Sequence, residues 1–416
     1  MAQQYDRRVV VTGMGAITPL GNSVGEFWQG CVEGRSGIGF ITVDDPKNYN
    51  VKIDGEVRGF RPELFMPEDE ALTQARFSQF GVAATAMALD DAGIDLDSER
   101  RDRIGVLVGN GNGGYPEIQA AGRAIYAGRA GHLLRETLLQ AMPHMATANI
   151  TRAFELKGYA NTYSTACAAS TQAIGGALDA IRNGRADVML AGGTEAALCE
   201  VPFAGFVAMR ALSTRTDDPT KASRPFDAQR DGFVSCEGAA MLVLEDYYHA
   251  RARGARIVAE VAGYGASADA YHVVLPSPDG EGAQSAMRLA LADAGVAPQE
   301  VEYINAHGTS TVINDAIETA AIKAVFGKGA YGIPVSSTKS QIGHALGAAG
   351  AIESVACLKA IETGILPPTI NQEYPDPACD LDYVPNRSRA GNPRVVLKNS
   401  FGFGGQNACL VFRKLG

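Results

Sequence analysis

Hydrophobic runs in this chain come in pairs. A β-branched run at residues 8–16, RVVVTGMGA, breaks into glycines, and RIVAEVAGYGA at 256–266 does the same. Runs of this kind, bounded by turn residues, predict buried strands. ALDDAGI at 88–94 and ALADAGV at 290–296 each end a helical stretch on Asp-Ala-Gly, the stop expected of a glycine cap. Each stop leads through a polar loop into a short predicted strand, IGVLVG at 104–109 and VEYINA at 301–306, opening into NGNGG and HGTST. A third pair, ANTYSTACAASTQAIGGALDAIRNG and IPVSSTKSQIGHALGAAGAIESVACLKAIETG, aligns when Ala180-Ile181 and Gly184 are laid on Ala360-Ile361 and Gly364. Both read as strand, tight turn and small-residue helix.

Three matched segments in one order predict a duplicated α/β unit, with halves at 1–250 and 251–416. Strands alternating with helices imply mostly parallel sheets covered by helices. The helices after Cys167 and Gly343 are rich in Ala and Gly and so can pack closely. Side by side between two sheets, they would complete a five-layered α/β/α/β/α body.

Composition narrows the class. With 416 residues, 46% hydrophobic and 20% charged, the chain has ample material for a large core. Charges in MAQQYDRRVVVTG stand where a secretory leader needs an apolar run, and no apolar stretch reaches membrane-spanning length, so a cytoplasmic protein is expected. The seven cysteines are scattered without CxxC spacing and read as reduced thiols, mostly core filler. A net charge of -9 argues against nucleic acid as a partner, and an acidic partner would need a local basic patch.

Pseudo-symmetry brings equivalent strand-end loops of the two halves together, and those loops hold Cys167, the NGNGG turn at 110–114, His307 and His344. Cys167 lies where a strand gives way to a helix, whose N-terminal dipole and free N–H groups favour a thiolate and an oxyanion. A cysteine with two histidines also fits zinc, but a closed structural site takes four ligands. A cysteine protease or acyltransferase would use one histidine as base and leave the second without a role. GMGAIT at 13–18 has Thr18 where a dinucleotide fingerprint needs glycine. His132, His144, His249 and His272 are read as surface or structural.

At this point the residues carry a pattern along nearly the whole chain. VVVTGMGAITPLG, STACAAS, ALSTRTDDPTKASRPFDAQRDGFV, NAHGTST, TKSQIGHALGAAGAIE and NSFGFGGQN resemble the segments of a β-ketoacyl-acyl carrier protein synthase of the second type. The resemblance implies the thiolase fold, a homodimer, acyl carrier protein as partner and no organic cofactor; no residue is assigned as a metal ligand, and a structural monovalent cation near the active site stays open. It implies that Cys167 takes an acyl group as a thioester. His307 and His344 would hydrogen-bond the malonyl thioester carbonyl and stabilise the enolate left by decarboxylation. The N–H groups of Cys167 and Phe403 would form the oxyanion hole, and Lys339 and Glu353 match the family's supporting pair. Phe403, on the glycine-rich FGFGG loop with Phe401 and Gly402, would gate the cysteine, and Thr309 and Thr311 would line the substrate. With Cys167 and both histidines present, a non-catalytic chain-length partner is disfavoured, although a heterodimer with one stays open.

Two departures bear on specificity. Asn112 stands where the family usually has a bulky apolar residue limiting the acyl pocket, and a buried amide needs hydrogen-bond partners. An unusual acyl chain, as in a type II polyketide or polyene ketosynthase, is the alternative this raises. The segment RPELFMPEDEALTQARFSQF, usually basic where the carrier docks, holds Glu68, Asp69 and Glu70, with Arg61 and Arg76 its only cations. Carrier docking therefore shifts in expectation to Arg123, Arg129, Arg135, Arg210 and Arg215.

Overall fold

The structure, a computed structural model, describes residues 7–43 and 50–416. The reading of the amino-terminal stretch falls partly on residues 1–6, outside the described residues. Ten strands carry the fold: β1 (Val9–Ile17), β2 (Ile104–Gly109), β3 (Ala160–Tyr163), β4 (Val188–Glu195), β5 (Gly238–Asp246), β6 (Ala259–Ala268), β7 (Tyr303–Asn305), β8 (Val335–Ser336), β9 (Val395–Gly402) and β10 (Gln406–Arg413). Their order is β8-β7-β9-β10-β6-β1-β5-β4-β2-β3. Read from each outer edge inward, the halves β3-β2-β4-β5-β1 and β8-β7-β9-β10-β6 have the same topology, as the matched segments predict.

Two points differ from the sequence expectation. The half-sheets are joined into one ten-stranded sheet where β1 meets β6 through Val10 opposite Glu260 and Val11 opposite Ala259. Each half is also mixed rather than mostly parallel. In the first, β2 pairs parallel with β3 and β4, whereas β5 pairs antiparallel with β4 and β1. In the second, β9 and β10 form an antiparallel hairpin closed by Phe403, Gly404 and Gly405. A turn that short cannot make the crossover that parallel neighbours need.

Side-chain alternation along the strands builds the layers. On β5, Ala239, Met241 and Val243 face α1 (Arg76–Ala92), in a core that includes Phe77 and Phe80. Ala240, Leu242 and Leu244, between them, face α2 (Ala169–Arg182) and the equivalent helix of the other half. On β10, Cys409 and Val411 belong to the core of α3 (Glu281–Ala294) and α4 (Val312–Phe326). Leu410 and Phe412 join the middle layer with α5 (Ala349–Thr363). The middle helices α2 and α5 are buried nearly all round, which their small residues permit. The expected α/β/α/β/α layering is thus present. α1 and α3 each stop at a left-handed glycine, Gly93 and Gly295, with φ of 61° at both.

Candidate active site

Between β3 and α2 the chain makes a tight turn, Ala166–Ala168, that aims Cys167 out of the middle layer. Ala166 is left-handed, with φ 49°, and its equivalent Leu346, ahead of α5, has φ 47°. A non-glycine residue in that region costs on the order of 1–2 kcal/mol, so both halves hold the same strained turn. Cys167 follows the strained position in the first half. In the second half Gly347 follows it, and its N–H donates to Glu195 Oε2 at 3.0 Å.

Cys167 lies two residues ahead of α2 and is 4% exposed. The expectation of an eased thiolate is therefore amended: burial pushes the thiol up to about 12, opposed by Lys339 and by the Phe403 N–H bonded to it. His344 Nε2 lies 2.9 Å from Cys167 Sγ. On the far side of that ring, Leu346 N–H donates to Nδ1 at 3.3 Å. An accepting Nδ1 leaves the proton on Nε2, so the ring presents a donor toward the sulfur. The His307 ring stands 5.4 Å from that of His344, at 82°.

Both imidazoles are held well below the ordinary histidine value, by burial first and then by Lys339. They are neutral donors at neutral pH. The reactive atoms of Cys167, His307 and His344 lie within 4.8 Å of one another, and no fourth ligand group among the described residues joins them. A closed zinc site takes four.

Lys339 Nζ donates to the carbonyl of His307 at 2.6 Å and to Glu353 Oε1. Sequence reasoning missed three buried charged residues in and around the site. Glu318 accepts from the N–H groups of His307 and Gly308, at 2.8 and 2.7 Å, and so fixes the turn that carries His307. Lys398, on β9, pairs with Glu353 Oε2 at 2.8 Å. Glu195 accepts from Gly111 and Gly347 and is lifted by burial to about 7. Strand alternation was the available signal for Lys398, which falls on the inward face with Val396 and Ser400.

Phe401, Gly402 and Phe403 pass directly over the thiol. A Cβ on Gly402 would stand 3.0 Å from the Thr165 carbonyl and 3.2 Å from Cys167 N, so any larger residue there would crowd the turn that carries the thiol. The half-buried Phe403 ring lies 6.4 Å from Phe206. A cavity of about 220 Å³ reaches from Cys167, His307 and His344 past Thr309, Thr311, Phe401 and Phe403 to Arg210 and Val274–Pro276. His272 shapes that last loop, its Nδ1 accepting from Val274 N–H and Leu275 N–H at 3.0 and 3.1 Å.

Asn112 does not line the cavity. Its side-chain amide bonds Glu195, and its backbone N–H reaches Glu195 Oε1 at 3.3 Å. The amide is half-buried and has its partner within the protein. Among the proposed docking arginines, only Arg210 borders the cavity. Arg123 pairs with Glu200, Arg135 lies 3.9 Å from Glu136, and Arg215 donates to the Gln229 carbonyl. Arg129 is exposed beyond the helix Tyr115–Tyr126. In the acidic segment Arg61 pairs with Glu63 and Arg76 with Glu237, so both of its cations are engaged.

Duplicated halves, a middle helix pair and a thiol beside two imidazoles define a thiolase-fold acyl-transferring enzyme. The chain belongs to the beta-ketoacyl synthase family: the N-terminal domain model matches residues 6–250 and the C-terminal domain model residues 258–373. It is 48% identical to 3-oxoacyl-[acyl-carrier-protein] synthase 2 of Synechocystis over 414 residues, all of both chains. Among solved structures, the ishigamide ketosynthase/chain length factor superposes with TM-score 0.92 at 40% identity, covering 99% of this chain and 100% of that one. A type II polyketide acyl carrier protein in complex with its ketosynthase bound to the hexaketide has a chain matching with TM-score 0.90 at 37% identity, with the same coverage.

Proposed function

We propose that the protein condenses an acyl group with malonyl-acyl carrier protein, giving 3-oxoacyl-acyl carrier protein and CO2, in fatty acid elongation. The observation that carries this reading is the Cys167 thiol beneath two neutral histidine donors at the end of one cavity. Cys167 attacks the acyl thioester, and the carrier thiol leaves with the cysteine proton. The N–H groups of Cys167 and Phe403 face the tetrahedral oxyanion. Malonyl thioester then takes the site, and its carbonyl accepts from His307 and His344. Loss of CO2 leaves an enolate that those donors stabilise, because its charge exists only after the bond breaks. The enolate carbon attacks the acyl-cysteine carbonyl, the C–S bond breaks, and the released Cys167 thiolate takes a proton from water. Lys339 and Glu353 hold the His307 turn, while Phe401, Gly402 and Phe403 gate the thiol and Thr309 and Thr311 line the approach.

Supplying acyl- and malonyl-carrier together tests the reaction. It yields one CO2 per 3-oxoacyl-carrier formed, and CO2 without condensed product would sink it. The internal bond of Asn112 to Glu195 removes the need for a polar acyl chain and favours the fatty-acid reading over the polyketide one.

Residues 1–250 form the half with the nucleophile and 251–416 the half with both histidines. The protein acts in the cytoplasm, which its seven free thiols support. Among the described residues no helix is long and apolar enough to cross a membrane. A homodimer is supported by exposed apolar side chains along 118–139, including Ile125, Tyr126, Leu134 and Leu138. Acyl carrier protein docks with its prosthetic arm in the cavity and its acidic surface near Arg210. Reversal to Arg210→Glu is expected to raise the KM for acyl-carrier about threefold or more, with alkylation of Cys167 by iodoacetamide unchanged. An unchanged KM removes Arg210 from the docking surface.

A further inference from the structure

Lys398 is fully buried on β9, three residues before Phe401, and faces the middle layer. Its Nζ forms an ion pair with Glu353 Oε2 at 2.8 Å and donates to Thr171 Oγ1 at 3.1 Å and to Ser400 Oγ. The carboxylate and two hydroxyls around it fit the charged ammonium. On the other oxygen of the same carboxylate sits Lys339, which also donates to the His307 carbonyl. Glu353 is thus one negative charge shared by two buried lysines behind both histidines. The other buried carboxylates nearby are held locally, Glu318 by the N–H groups of His307 and Gly308 and by Asn399, and Glu195 by Gly111, Asn112 and Gly347.

We propose that Lys398 is a positioning residue for the condensation, the second cation of a Lys339–Glu353–Lys398 triad whose surplus positive charge keeps His307 and His344 in their neutral, donating form. The inference rests on the condensing-enzyme reading and adds a residue to it. A single Lys–Glu pair behind the histidines would be neutral overall and would leave burial and the nearby Lys339 to oppose their protonation, with no surplus charge added. With two lysines, an imidazolium meets net repulsion, and the same charge favours the enolate in front of the rings. The groups facing the imidazoles agree. Lys339 and Lys398 both disfavour the charged ring of His307 and of His344, and at His307 the neighbouring His344 adds to this. Burial, joined by the like charge of Lys339, draws the Lys398 ammonium below the ordinary lysine value, while Glu353 and Cys357 oppose that fall. The sign follows: without the Lys398 charge the histidines protonate at higher pH, and donor capacity is lost earlier on acidification.

The test is a pH titration of the full-length protein labelled with 15N-histidine, with His307→Ala and His344→Ala used to assign the signals. In the parent both imidazoles stay neutral well below the pH at which an ordinary histidine takes up its proton. In Lys398→Met their titration moves up by about one pH unit, and the acid limb of CO2 release from malonyl-carrier moves with it. Lys398→Arg, which keeps the charge, leaves the titration where the parent has it even if the larger side chain slows turnover. The proposal is overturned if Lys398→Met titrates like the parent, or if Lys398→Arg moves as far as Lys398→Met. Protonation of both imidazoles by pH 6 in the parent overturns it as well, and that reading needs no variant to fold. If the titration moves as expected but no CO2 is released by any form, the condensing-enzyme reading has failed and the charge triad has not.

Discussion

Cys167→Ala abolishes chain extension, by at least about 10³-fold, yet leaves the release of CO2 from malonyl-carrier largely intact. Extension needs a covalent acyl carrier, and no other thiol in the cavity can replace it: the remaining six cysteines are buried, and none of them lines the cavity. Decarboxylation needs the two imidazole donors and a place for the thioester carbonyl, none of which the substitution touches. It also removes the sulfur that His344 Nε2 faces at 2.9 Å, freeing that donor for the malonyl oxygen. The side chain shrinks by one atom inside a rigid turn, so the fold is expected to persist with a loss of about 1 kcal/mol. Paired assays for CO2 and for 3-oxoacyl product check the separation. Parallel loss of both activities would mean that Cys167 serves the decarboxylation as well.

His344→Ala has the complementary effect. CO2 release falls about 10²- to 10³-fold, the cost typical of removing one preorganised donor from a developing oxyanion. Alkylation of Cys167 by iodoacetamide survives, because the turn around Ala166, the bond from Phe403 N–H and the charge on Lys339 remain. His307→Ala lowers CO2 release in the same range, and the double substitution lowers it by less than the product of the two, since both donors act on one oxygen. Retention of normal CO2 release in His344→Ala would restrict that residue to the acyl-transfer half of the reaction.

The sequence carried the duplication because its evidence is local. A β-branched run breaking into glycine, or a helix stopped at Asp-Ala-Gly, looks the same wherever it is read, and Gly93 and Gly295 do adopt identical caps. The thiol and both histidines were legible for a related reason, lying in short glycine-bounded segments at strand ends. Lys398, Glu318 and Glu195 were not. A buried charge is spelled like an exposed one, and only the partner contributed by a distant element tells them apart: Glu353 lies 45 residues before Lys398, and Glu318 accepts from a turn ten residues before it. Asn112 shows the same limit from the other side. Its amide looked misplaced in an apolar pocket until β4 supplied Glu195. The sheet's mixed pairing was half legible, since the short glycine turn between β9 and β10 forces a hairpin. Nothing local announces that β4 and β5, with a long connection between them, pair antiparallel.

The central claim is that Cys167 carries the acyl chain and passes it to a carbon nucleophile made by decarboxylation. Incubating the protein with acyl-carrier alone, mapping the acyl adduct by mass spectrometry, and then chasing with malonyl-carrier tests it directly. The adduct is expected on the peptide containing Cys167, discharged by the chase with one CO2 and one 3-oxoacyl-carrier per acyl group lost. An adduct on any other residue, or discharge to free acid without CO2, would contradict the account.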